Sequence, residues 1–154
     1  MSENPFAGRR LFTVEQANAA LPLVRAIVKD LAELYREVVE RRQRLSSLTG
    51  GRERKPGDVY SQEVEQIEDE LERDVRRLQE YVEELRQIGV EPKSGPDGLV
   101  DFPAMIDGRP VYLCWKLGEP EVLYWHDLEA GFAGRQPLVA ETGTSIGPAD
   151  LRSS

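Results

Sequence analysis

From Leu21 onward the apolar residues recur with a helical period. Leu21, Val28 and Tyr35 form one seven-residue series, and Val24, Leu31, Val38 and Leu45 form a second. Ile27, Leu34 and Leu48 widen the stripe to about three positions in seven, which suits a helix inside a bundle better than a narrow two-stranded seam. Thr13 marks the start, because its side chain can cap the helix while Gln16 reaches back to the Thr13 backbone N–H. Phe12, just ahead of the cap, can pack against Ala17. Pro22 cannot donate to the carbonyl of Asn18, so the first turns are expected to kink or break away. Gly50, Gly51, Pro56 and Gly57 end the helix.

A second helix is expected from about Tyr60 to Ile88. Val64, Leu71, Leu78 and Leu85 recur every seven residues, with Ile67, Val75, Tyr81 and Val82 on the flanks. Its other faces are charged, and pairs such as Asp69–Arg73 and Glu72–Arg76 stand four apart. Gly89 and Pro92 stop it. Helices of roughly 30 residues extend about 45 Å each. One antiparallel hairpin cannot cover two stripes this wide. The favoured remedy is a homodimer through the helices, giving a four-helix bundle with coiled-coil packing; the alternative is cover by the C-terminal segment.

After Gly89 the pattern changes to short β-branched and aromatic runs. Residues 99–106, 110–115 and 121–125 read as three strands, with Asp107-Gly108 as a two-residue hairpin signal. Residues 116–120 would close a second hairpin at Gly118. The expected fold is therefore α+β: a long antiparallel helical hairpin followed by a small three-stranded antiparallel β-meander lying on it. The organisation would be a lead-in over 1–12, the hairpin over 13–88 with a basic loop at 49–59, a β-rich segment over 89–138, and a flexible tail over 139–154.

Charge narrows the partners. The net charge is -8, with 40% hydrophobic and 31% charged residues, a balance compatible with folding. An acidic chain makes nucleic acid an unlikely partner. The exception is a local cluster, Arg41, Arg42, Arg44, Arg52, Arg54 and Lys55, which could meet an anionic partner or could be a solvated loop and helix end. A single cysteine rules out an intramolecular disulfide and a multi-cysteine zinc site. No long apolar run and no basic-then-apolar leader are present, so the expectation is a cytoplasmic protein without a membrane partner.

Several phrases carry a family likeness. Phe12-Thr-Val-Glu-Gln-Ala17, Leu21-Pro-Leu23, Gly98-Leu-Val-Asp-Phe-Pro103, Leu113-Cys-Trp115, Leu117-Gly-Glu119, Trp125-His126 and Gly131-Phe132 resemble the prokaryotic family catalogued as domain of unknown function 2203. The likeness covers most of residues 12–138, and its specific part runs from Gly98 to Arg135. It implies the same fold and a cytoplasmic protein, and it brings no activity and no catalytic residues.

The chemistry-bearing residues lie in that same part. His126 is the only histidine. Period two puts Cys114 on a face with Tyr112, and His126 with Tyr124, so thiol and imidazole would share a face in a suitable register. Together with Asp101 and Glu119 they could form a mixed site for a divalent transition metal. The competing reading is a hydrogen-bonded structural histidine, a thiol that acts as a small hydrophobe, and carboxylates that serve turns. Asp127 and Glu129 could orient the imidazole. Tyr112, Trp115, Tyr124 and Trp125 form either an aromatic binding face or the core of the meander. Arg135 could clamp an anion but lacks a phosphate-loop setting. Three functions stay open: a self-associating, non-enzymatic interaction module with a protein partner, a metal- or small-ligand-dependent activity centred on His126, and a nucleic-acid accessory role through the basic cluster.

Overall fold

A computed structural model describes residues 5–50 and 59–138 of the chain. The first helix, α1, spans Val14–Thr49, and the second, α2, spans Val59–Ile88. The capping box forms as the sequence dictates. Gln16 N donates to Thr13 Oγ1 at 3.1 Å, and Thr13 N donates to Gln16 Oε1 at 3.0 Å. Phe12 and Ala17 are both buried in the core beside the cap. Pro22 lies inside α1 without ending it. It sits on the exposed side, where a carbonyl lacking its intrahelical donor can be hydrated.

The two helices run antiparallel. Arg41, late in α1, binds Asp74 and also Glu70 at 3.3 Å, while Arg44 reaches back to Glu63 at 2.6 Å. The Tyr60 hydroxyl donates to the carbonyl of Leu48 near the hairpin's turn end.

The sheet has five strands, not the three of the expected meander. In chain order they are β1 (Glu91–Ser94), β2 (Leu99–Ile106), β3 (Arg109–Lys116), β4 (Tyr124–Asp127) and β5 (Gln136–Pro137), each antiparallel to the next. The β2–β3 hairpin turns at Asp107 and Gly108, whose φ angles of 51° and 78° are those of a two-residue left-handed turn. β4 starts three residues later than expected. Val122 N donates to Asn18 Oδ1 on α1 at 2.7 Å, which ties this backbone to the helix. β1 and β5 escape a pattern search for a physical reason. Glu-Pro-Lys-Ser and Gln-Pro have no apolar alternation, and edge strands tolerate proline because one side of their backbone needs no ladder partner.

The four-helix bundle and coiled coil are also overturned, since the described residues contain two helices. The sheet covers the helical stripe instead. Val100, Phe102, Leu113 and Trp115 share one core cluster with Leu21, Val24, Val28 and Leu31 of α1 and with Leu85 of α2. Leu34, Val38, Val64 and Ile67 are buried outside this core, and Leu45, Leu48 and Leu71 further along the hairpin are only half-buried.

Candidate metal centre

Strand alternation sorts the sheet into two faces. Val100, Phe102, Ala104, Val111, Leu113, Trp115 and Trp125 enter the core with the helices. The intervening positions face the other way. There the register sets Asp101 opposite Cys114, Tyr112 opposite His126, and Cys114 opposite Tyr124. Three chemistry-bearing residues from three adjacent strands thus meet on one face. Asp101, Cys114 and His126 each offer a donor atom, all within 4.8 Å of one another. Their exposures are 2%, 0% and 2%, so the outward face is closed off here.

The hydrogen bonds settle where the hydrogens lie. His126 Nδ1 is 2.7 Å from the carbonyl oxygen of Asp127. A carbonyl only accepts, so Nδ1 carries a hydrogen and Nε2 is the ring nitrogen turned to Asp101. Nε2 lies 3.0 Å from Asp101 Oδ1. At that distance a proton, or a cation in its place, lies between nitrogen and oxygen. The Cys114 thiol also hydrogen-bonds Asp101. Burial pushes the Asp101 carboxyl above its ordinary value, opposed by His126 and Cys114. Burial, reinforced by Asp101, pushes the Cys114 thiol up to about 12. A thiol so reluctant to ionise is a poor free nucleophile, and the imidazole faces Asp101 rather than the sulfur.

As a donor set the cluster is coherent. Sulfur, imidazole nitrogen and carboxylate oxygen are the three protein ligand types of zinc. A metal-binding histidine usually fixes its second N–H on a carbonyl or carboxylate, as Nδ1 is fixed here. An ionised aspartate and a thiolate carry two negative charges, which a divalent cation would neutralise in a buried site.

Two segments adjoin this face. Phe6 packs edge-on against Tyr112 at 5.3 Å between ring centroids, and Tyr112 lies 5.6 Å from the His126 ring. On the other side the Arg135 guanidinium sits 3.9 Å from the Tyr124 ring and 4.7 Å from that of Phe132, in the 3₁₀ turn Phe132–Gly134.

Not every expected residue joins the site. Glu119 stays out: its carboxylate accepts from Lys116 N at 2.8 Å and from Arg135 Nη2 at 2.6 Å. Arg135 is thereby an internal tether, and its Nε finds no partner among the described residues. The aromatic group splits across the sheet, with Trp115 and Trp125 in the core and Tyr112 and Tyr124 beside the cluster. Arg41 and Arg44 are turned to carboxylates of α2, and Arg42 borders a groove between the helices. Arg52, Arg54 and Lys55 lie outside the described residues. Asp127 does orient the imidazole, but with its backbone carbonyl; its side chain pairs with Arg109 at 3.3 Å. Phe6 and Asn18 carry no signal of their roles in the sequence, because both act across the chain through tertiary contacts.

The fold and the site together define an α+β protein, a helical hairpin backed by an antiparallel sheet, with a buried Asp/Cys/His donor cluster. A model of the uncharacterized conserved proteins DUF2203 matches residues 10–138, and the chain belongs to that family. No curated protein and no solved structure matches it. Among the described residues no helix is long and apolar enough to cross a membrane.

Proposed function

We propose that this is a metal-binding protein holding one divalent transition-metal ion, zinc by its donor chemistry, through Asp101, Cys114 and His126. The observation that carries the reading is the convergence of three different donor atoms within 4.8 Å in a buried place. The Nδ1 contact to the Asp127 carbonyl supports it, because it turns Nε2, the nitrogen that would ligate, toward Asp101. Three protein donors leave one tetrahedral position for water or a small ligand, as in catalytic rather than closed structural zinc sites. The reading is therefore metal-dependent chemistry on a small ligand. The test is elemental analysis of protein purified without chelator and then reloaded. One equivalent of metal is expected in the wild type and none in His126→Ala. A wild type that takes up no stoichiometric metal on reloading sinks the proposal.

Self-association through the helices is a second reading with its own support. A groove of about 440 Å³ between α1 and α2 is lined by Tyr35, Val38, Val75, Leu78 and Val82 among others. All of these except Val38 are only half-buried in the single chain. Sedimentation at micromolar concentration should show a dimer that Leu78→Glu dissociates, whereas a wild type that stays monomeric rejects this reading.

A further inference from the structure

We propose that Arg135 and Lys116, at the corner of the sheet beside the Asp101/Cys114/His126 cluster, bind a small oxyanion, a carboxylate or phosphate group. As the anionic end of the small ligand at the metal centre, it deepens the function proposed above and rests on that reading for the metal alone.

The placement follows from the register. Cys114 stands directly opposite Tyr124 across β3 and β4. Side chains paired in this way are neighbours on one face, with Cβ atoms about 4.5–5.5 Å apart. The Arg135 guanidinium lies 3.9 Å from the Tyr124 ring. Its charge thus comes within reach of the cluster: burial dominates the Cys114 thiol and pushes it up, while Arg135 pulls it the other way.

The guanidinium is only partly used. The Arg135 side chain is 10% exposed, and both of its bonds to Glu119 run through one nitrogen, Nη2 donating to Oε1 at 2.7 Å and to Oε2 at 2.6 Å. Arginine commonly meets a carboxylate with two nitrogens side by side. Here Nε is buried and has no hydrogen-bond partner among the described residues. A buried donor left unpaired costs about 1–3 kcal/mol, and more when it belongs to a charged group. A bound acceptor removes that cost, and an oxyanion can take Nε while Glu119 keeps Nη2.

The surroundings favour an anion over a neutral acceptor. Lys116 Nζ lies 5.3 Å from the Phe132 ring and the Arg135 guanidinium 4.7 Å from the same ring, so two cations converge on one aromatic. Glu119 is the carboxylate bonded to Arg135, and it is also held by the Lys116 backbone N–H at 2.8 Å. Phe132 is 44% exposed and belongs to the 3₁₀ turn rather than to the core cluster, so its ring can swing away from Arg135 without opening the core.

The test is titration calorimetry of the metal-free chain with inorganic phosphate and with acetate, at an ionic strength held constant with sodium chloride. The wild type should bind one equivalent of at least one of the two, and the probe that binds identifies the kind of anion. Glu119→Gln leaves Arg135 in place and removes the competing charge, so it should bind roughly tenfold tighter. Arg135→Lys keeps a positive charge without Nε and should bind roughly tenfold weaker, with an unchanged melting profile. Binding of neither probe by the wild type and Glu119→Gln would overturn the anion site, as would equal affinity in the wild type and a folded Arg135→Lys. The Glu119→Gln arm does not depend on an Arg135 variant folding. A wild type that binds the anion but loads no zinc rejects the metal reading and keeps the anion site, and zinc loading without anion binding does the reverse.

Discussion

The inner face of the sheet and the Asp101/Cys114/His126 patch on its outer face are both buried, but for different reasons. The inner face is what strand alternation and the hydrophobic effect produce together: Phe102, Leu113, Trp115 and their neighbours exchange water for the stripe of α1. The outer face hides an aspartate, a thiol and an imidazole, groups that gain nothing from leaving water. Its burial has to be sustained by mutual hydrogen bonds and by segments laid over it. The comparison separates the parts of the molecule that make the fold from the part available for chemistry.

Breaking the inner face should have the largest effect. Phe102 is fully buried, so Phe102→Ala should cost about 3–5 kcal/mol in a denaturant melt, from lost transfer energy plus a cavity.

The outer face should respond to metal. Zinc at 100 times its dissociation constant should stabilise the wild type by about 2.7 kcal/mol and leave His126→Ala unmoved in a thermal melt. The pH dependence has a definite sign. Asp101 and Cys114 are both shifted toward their protonated forms, so metal must displace protons and affinity should climb as the pH rises. Loading near neutral pH should release protons, that of the Cys114 thiol among them. Calorimetry in buffers of different ionisation enthalpy counts them.

The hydrogen-bond account of the metal-free cluster predicts an asymmetry. Asp101→Ala leaves His126 Nε2 and the thiol without their partner and should cost about 1–3 kcal/mol. Asp101→Asn can still donate to Nε2, so its stability should stay within about 1 kcal/mol of the wild type while metal affinity falls. The smallest effect is expected at Asp127. Its carbonyl orients the ring and survives substitution, so Asp127→Ala should bind metal normally. It should lose no more than about 0.5 kcal/mol, from the exposed pair with Arg109.

Much of this architecture could be read from local pattern. The Thr13–Gln16 cap, the two heptad stripes, the Asp107-Gly108 turn and the span of β2 all depend on neighbours in sequence. The sharing of a face by Cys114 and His126 followed from period two once the register was known. The rest depended on tertiary contacts. β1 and β5 form because strands already in place offer their edges, and Pro92 and Pro137 conceal them from any propensity rule. The cover of the helical stripe by the sheet, which replaced the expected four-helix bundle, needed the three-dimensional position of Phe102 and Trp115. Glu119 was expected to reach the site through the fold of the meander, but Arg135 claims it across 16 residues. Phe6 looked like part of a lead-in because nothing local says that it lands on Tyr112.

X-ray absorption at the zinc edge of the loaded protein tests the central claim most directly. One sulfur scatterer at about 2.3 Å with nitrogen and oxygen neighbours near 2.0 Å is expected, and the sulfur shell should vanish in Cys114→Ser. A spectrum without sulfur, or one that the Cys114→Ser substitution leaves unchanged, would contradict the assignment of this cluster as the metal centre.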